Sequence, residues 1–324
     1  MLPDNNIAII IPAYKPTYFS NTLESLANQT DTAFNLYIGD DCSPFDLEPL
    51  IKPYKDALNI TYFRFENNLG GQDLVAHWDR CLSLMNGETF FILFSDDDEL
   101  EPNCIESLKK SIEVYEEDVL HFNLQIVNGV GMPLGLPTKF PEHMSSMSFF
   151  DQLCTSEIVA RMPEFVFRTD HFFESGGFVK FKDAIRSDNA TVIQSAFPKG
   201  IRTINGPLVL WRDSGINISS SFGPNSKDRF ETFLSTSVSF FNWMELFCFK
   251  KDIVFSWSIT QRFDYLFNCG YNFRPIIGTN AMFSILKEFN HYPKGVWGIG
   301  LWVNLIRLKV SRKMRFWFLK FKRR

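Results

Sequence analysis

The chain has 324 residues, 45% of them hydrophobic and 22% charged, with a formal net charge of −4. That is the composition of a globular protein, with room for one large domain or two modest ones. Residues 305–324 (LIRLKVSRKMRFWFLKFKRR) hold nine Lys or Arg and no acid, so the rest of the chain carries −13 and argues against a nucleic-acid partner, which calls for a basic face.

Strand and helix signals alternate over the first 130 residues. Ile7 to Pro12 is an apolar, β-branched run, preceded by no basic segment, and reads as a first strand rather than a signal peptide. Phe19, Leu23, Leu26 and Ala27 recur at helical spacing, and FNLYIG (34–39) is a second strand. Residues 44–57 predict a short helix, and ITYFRF (60–65) alternates as a strand does. Leu74, Val75, Trp78, Cys81, Leu82 and Met85 mark one helix face. Phe90 to Phe94 is a buried strand, and Pro102 opens a helix with Ile105, Leu108, Ile112 and Tyr115 inward. VLHFNLQIV (119–127) is another strand.

Further on, MPEFVFR and IRTINGPLVLWR read as strands, DNATVIQSAF (188–197) as a short helix started by Asp188, and the chain from about 228 as aromatic-rich helices. Repeated strand–helix–strand units predict an α/β fold with a mostly parallel sheet and helices on both faces. Ligands of such sheets bind beyond the carboxyl ends of the strands. Those ends carry Tyr14 and Lys15, Asp40 and Asp41, Asn67 and Asn68, and Asp96 to Asp98.

The three adjacent acids that end the strand FFILF need a reason, because they repel one another. An EF-hand loop would place Gly sixth and Glu twelfth; counting from Asp96 those positions are Glu101 and Ser107. Acids before the helix at Pro102 favour its dipole, which accounts for one or two of them. A divalent-cation site accounts for three: Mg²⁺ or Mn²⁺ takes one or two carboxylates and fills its other positions with phosphate oxygens and water. The six Cys are scattered without a C-x-x-C, and no Walker A or G-x-G-x-x-G sequence is present.

IAIIIPAYK, YIGDDCSP, ENNLGG, GETFFILFSDDDELEP and, later, RSDNATVI and WRDSGINIS together resemble the family 2 glycosyltransferases of the GT-A fold, over roughly residues 7–220. The resemblance implies a GT-A-type, Rossmann-like α/β domain with a helical C-terminal extension. Residues 1–130 would be the nucleotide-sugar-binding half, 131–227 the acceptor-side half and 228–324 the extension. It implies a metal-dependent, inverting transfer of sugar from a nucleotide-diphosphate sugar, with a UDP-sugar favoured, to a hydroxyl of a glycan or polyprenyl-linked acceptor in cell-surface polysaccharide synthesis.

Carried over residue by residue, the family's pattern places Pro12, Ala13 and Tyr14 around the nucleotide, with Tyr14 against the base. Asp41 would recognise the base, Asn68 would lie in the donor loop, and Asp96 would contact the ribose. Asp97 would bind Mn²⁺ or Mg²⁺, with Asp98 beside it; Arg212 would contact the diphosphate, and Asp188 would be the general base. The sequence departs from the pattern at Ser95, Cys42, Ser187 and at Trp78–Asp79, where an Arg–Asn pair is common.

The tail mixes Trp, Phe and Leu with clustered cations, which suits an anionic membrane surface. It predicts a cytoplasmic protein peripherally held on the inner face of the plasma membrane. Two other readings stay open. A sugar-phosphate nucleotidyltransferase would carry a Gly-rich phosphate loop, which IPAYKPTYF lacks. In a non-catalytic nucleotide- or glycan-binding protein, Asp97 and Asp188 would have no chemistry to perform.

Overall fold

The computed structural model describes residues 6–215, 226–278 and 280–281. The basic tail lies outside the described residues. The chain divides into two compact units, Met1–Ser221 and Phe222–Arg324.

The first unit is built on one sheet. In chain order its elements are β1 (Ile7–Ala13), α1 (Phe19–Ala27), β2 (Asn35–Asp40), α2 (Glu48–Ile51), β3 (Asn59–Arg64), α3 (Leu74–Leu82), β4 (Phe90–Leu93), β5 (Glu99–Leu100), α4 (Cys104–Val114), β6 (Val119–Asn128), β7 (His143–Met144), α5 (Ser146–Thr155), β8 (Phe165–Arg168), α6 (Thr169–Ser175), α7 (Ser187–Ser195) and β9 (Ile201–Asp213). The strand order is β3-β2-β1-β4-β8-β6-β9-β5, with β7 pairing on β9. β1 to β4 are mutually parallel. β8 enters antiparallel between β4 and β6, and β6 and β9 run parallel to each other. Most strands therefore point the same way, and the expected GT-A-type α/β architecture is what the chain adopts.

Alternation along β1 explains both layers. Ile7, Ile9 and Ile11 share one face with Leu23 and Leu26 of α1 and Ile105 and Leu108 of α4 in a single apolar core. Phe91 of β4 serves the opposite face, stacked on Phe167 of β8 at 5.3 Å and edge-on to Phe172 of α6 at 4.9 Å. Many of the chain's 35 Phe are spent in this way, as large apolar area with favourable ring geometry.

Proline decides two departures from the sequence reading. The helix expected over 44–57 stops at Ile51 and continues only as a 3₁₀ turn, Lys52–Tyr54, because Pro53 has no N–H to extend the ladder. Similarly, the first three residues of MPEFVFR form a 3₁₀ turn around Pro163, and β8 begins at Phe165.

In the second unit, α8 (Ser226–Lys250) and α9 (Ile259–Ile277) pack against each other. Phe241 of α8 lies 5.7 Å from Trp257 and 5.4 Å from Tyr265, forming an aromatic knot at the turn between the helices. Among the described residues no helix is long and apolar enough to cross a membrane.

Candidate active site

Order along the sheet reverses at β1: β2 and β3 lie to one side and β4 to the other. Such a switch point leaves a crevice beyond the carboxyl ends of the two diverging strands. The ladder between β1 and β4 ends at Ile10 and Leu93, and three residues later Asp96 spans the gap. Its Oδ2 accepts the backbone N–H groups of Tyr14 and Lys15, both at 2.8 Å. One carboxylate thus satisfies two amide donors left without a strand partner and ties the acid segment to the end of β1. Pro12 and Ala13 are the last residues of β1, and the Tyr14 ring stands exposed beside the crevice.

The triplet is short of positive charge. Lys15 Nζ lies 3.6 Å from Asp97 Oδ2. Burial, then the neighbouring Asp97, pushes Asp96 up to about 6. Burial also raises Asp97, against the pull of Lys15 and Arg212. Asp98 is raised well above the ordinary carboxylate range by burial and by Asp97. Its Oδ1 accepts the N–H of Arg212 at 2.8 Å, while its Oδ2 is buried without a hydrogen-bond partner.

Among the described residues no group of three or more His, Cys, Asp or Glu forms a ready-made metal cage. The triplet nonetheless fits a divalent cation that brings most of its other ligands with the substrate. Its donors are hard oxygens, one of them is buried without a hydrogen-bond partner, and burial raises the pKa of all three acids.

Arg212 has structural partners that the sequence reading did not anticipate. Expected to contact a diphosphate, it is buried and directed at the protein itself. Its Nε donates to the Asp97 carbonyl at 3.0 Å, its Nη1 to the carbonyls of Asn128 and Gly129 at 3.2 Å, and its Nη2 pairs with Glu99, all while the guanidinium lies over the Tyr18 ring. It is a strut that fixes the acid segment against the end of β6. Lys15, which the sequence reading left without a role, brings its ammonium within 3.6 Å of the Asp97 carboxylate.

The neighbouring strand end is organised differently. Asp40 accepts the Ser43 N–H, the Tyr62 hydroxyl and the Arg64 guanidinium, and so holds its loop. Asp41 reaches across to the 65–71 loop: Oδ1 accepts Leu69 N–H and an Arg80 N–H, and Oδ2 accepts Gly70 N–H at 2.8 Å. A Cβ on Gly70 would lie 2.7 Å from that Oδ2, so only glycine permits the approach. The Asn68 side chain caps its own turn by accepting Gly71 N–H. Arg80 was not read as a functional residue from the sequence; its signal was a lone Arg beside the family's missing Arg–Asn pair.

Asp188 lies one residue inside the first turn of α7, whose cap position is Arg186, so the expectation that it starts the helix is corrected. Its carboxylate accepts the N–H of Asn189 at 2.8 Å. Burial raises its pKa, and Arg186 and Arg161 act in the opposite sense. Arg161 also stacks over Trp211, the neighbour of Arg212, at 4.7 Å.

Comparison with known proteins bears on this arrangement. The model of the family described as glycosyl transferase family 2 matches residues 8–174, about half of the chain. The chain belongs to glycosyl transferase family 2. It is also similar to the poly(ribitol-phosphate) beta-N-acetylglucosaminyltransferase TarS of Staphylococcus aureus, at 31% identity over 130 residues. That match covers 39% of this chain and spans only 22% of the relative's length.

Among solved structures, S. aureus TarS 1–349 in complex with UDP-GlcNAc superposes with a TM-score of 0.56 at 20% identity, covering 83% of this chain and 72% of that one. The same fragment without ligand gives 0.55 at 17% identity, over 83% and 73%. These likenesses establish the GT-A fold of this family member.

Proposed function

We propose that this family 2 member transfers a sugar from a UDP-sugar to an acceptor hydroxyl, with a divalent cation and with inversion at the anomeric carbon. The observation that carries the reading is the acid segment after β4, where Asp96 clamps the end of β1 and burial raises the pKa of Asp97 and Asp98. Asp97 and Asp98 would hold Mn²⁺ or Mg²⁺. When bound, such a cation supplies charge stabilisation for the departing diphosphate.

The chain's own residues do the rest. Tyr14 presents an exposed ring on which a base can stack, and Asp96 can turn toward a ribose hydroxyl while still holding the β1 end. Asp41 and the loop at Asn68 close the base side. Asp188 takes the proton of the acceptor hydroxyl as that oxygen attacks, and burial makes it a stronger base than a solvated carboxylate. A single displacement from the opposite face inverts the centre.

UDP-GlcNAc is the first donor to test, because the superposing TarS structure holds it. A polyol-phosphate or other cell-surface glycan hydroxyl is the first acceptor, as the name of the relative indicates. Action at the inner face of the plasma membrane through the basic tail completes the proposal.

The deciding experiment is thermal-shift screening against UDP-, GDP-, CDP- and dTDP-sugars with and without Mn²⁺. A donor present at about 100 times its Kd stabilises the fold by about 2.7 kcal/mol. The reading requires a UDP-sugar response that depends on Mn²⁺, and no response to any nucleotide sugar would remove it.

A further inference from the structure

The segment 65–71 is held by a side chain with no assigned role. Arg80, on α3, makes contacts in four directions. Its guanidinium stacks on the Phe65 ring at 3.9 Å. Its Nη1 donates to Asn67 Oδ1 and its Nη2 to the Asn67 carbonyl, both at 3.0 Å. Its Nη2 also pairs with Asp41 Oδ1, and its Nε donates to His77 Nδ1 at 3.0 Å.

That last bond fixes the histidine. A nitrogen that accepts from Arg80 has no proton to give, so the 3.5 Å approach of His77 Nδ1 to Asp41 is not an ion pair. His77 is buried and serves as a neutral rest for the guanidinium. Asp41 in turn accepts from Leu69 and Gly70 as well as from Arg80. A carboxylate has about four lone-pair sites, so about one is left, on Oδ2.

We infer that Arg80 is a positioning residue for the nucleotide donor: it locks Asp41 and the 65–71 loop into one shape, leaving a single aimed acceptor site for an N–H of the base. The inference rests on the proposed donor site and goes beyond it. Asp41 reads the base only as part of a latch, and the latch is closed by a residue of α3. An arginine is required because its planar fork meets the Asp41 carboxylate, two oxygens of Asn67 and a ring face at once, which an ammonium cannot do.

The test uses the full chain, UDP with Mn²⁺ as the probe, calorimetry for affinity and hydrogen exchange for the amides of Leu69 and Gly70. In Arg80→Gln those amides should exchange at least about tenfold faster, and UDP should bind about tenfold more weakly, the loss expected for one charge-assisted anchor. Arg80→Lys should fall between, a graded rescue that a purely structural defect does not give. Gly70→Ala keeps Arg80 and sets a Cβ 2.7 Å from Asp41 Oδ2, with looser contacts of 3.4 Å to His77 and 3.5 Å to Leu74 of α3; it should reproduce the weaker UDP binding, and it decides the matter if Arg80→Gln does not fold. Wild-type UDP affinity in the folded variants, or unchanged exchange at Leu69 and Gly70, overturns the inference while leaving the donor site standing. If the wild-type chain itself binds no nucleoside diphosphate, the donor reading fails and the latch assignment fails with it.

Discussion

Two acidic strand ends flank β1 on this sheet and are built in opposite ways. At the end of β2, Asp40 and Asp41 are furnished with donors: Ser43, Tyr62 and Arg64 for the first, Leu69, Gly70 and Arg80 for the second. After β4, Asp96 accepts two backbone amides, Asp98 one amide and the Ser95 hydroxyl, and Asp97 faces the Lys15 ammonium with Arg212 nearby, yet burial raises the pKa of all three. Both clusters have the same residue type in nearly the same place. A satisfied carboxylate holds backbone in position. An unsatisfied one stores a demand for a cation.

The largest test of this contrast is Asp97→Ala. It should lower transfer by roughly 10⁴-fold, since several kcal/mol of charge stabilisation goes with the cation, and should erase the Mn²⁺ dependence of UDP binding. Calorimetry with and without Mn²⁺ reads the second effect directly, and a variant that keeps it places the cation elsewhere.

Asp188→Asn separates binding from chemistry. Turnover should fall by about 10² to 10⁴ with UDP affinity unchanged. Because Asp188 is not the cap of α7, the melting temperature should move little. In the wild type, activity should fall on acidification through the raised pKa of Asp188, at a pH above the ordinary carboxylate range. Near-normal turnover in the variant would move the base role to another acid.

Asp98→Asn sharpens the electrostatic side. An acid whose folded pKa lies above its unfolded value stabilises the fold only below the unfolded value, and that contribution is lost as pH rises through the folded one. At neutral pH the native Asp98 is therefore a cost. The variant without metal should melt about 2–4 °C higher than wild type at pH 7, and this gain should vanish below about pH 4. An unchanged melting temperature at pH 7 would mean that the triplet is not short of charge.

The satisfied cluster gives a test confined to mildly acid pH. Burial lowers His77 to about 4, assisted by Arg80 and opposed by Asp41 and Asp40. A histidine kept neutral in the fold contributes stability that is present above its unfolded value and lost as pH falls from about 6.5 toward 4. His77→Gln still offers an oxygen to Arg80 and should flatten the urea-melt stability curve over that window, by up to about 3 kcal/mol. Identical wild-type and variant curves would mean that His77 does not titrate as a buried group.

The sequence alone determined the sheet's first four strands, the helices between them and the place of the acid triplet. Apolar runs such as IAIII and FFIL are forced into a buried layer, and the polar residue after each run is then forced to the same rim. The family blocks carried the rest of that half. What only the tertiary structure decided is what each polar group does there. Arg212 and Arg80 are both cations close to the rim, and no local pattern distinguishes them. Arg212 is spent on carbonyls of Asp97, Asn128 and Gly129, which lie 83 residues or more away in the chain. Arg80 reaches Asp41 across 39 residues. Hydrogen bonds of that span depend on which strands become neighbours, and a short strand such as Glu99–Leu100 exists only because Val209 and Leu210 of β9 are there to pair with it. Residue type is a property of the chain, but desolvation and partnership are properties of the packed sheet, and they furnished one pair of aspartates with donors while burial raised the pKa of the next three.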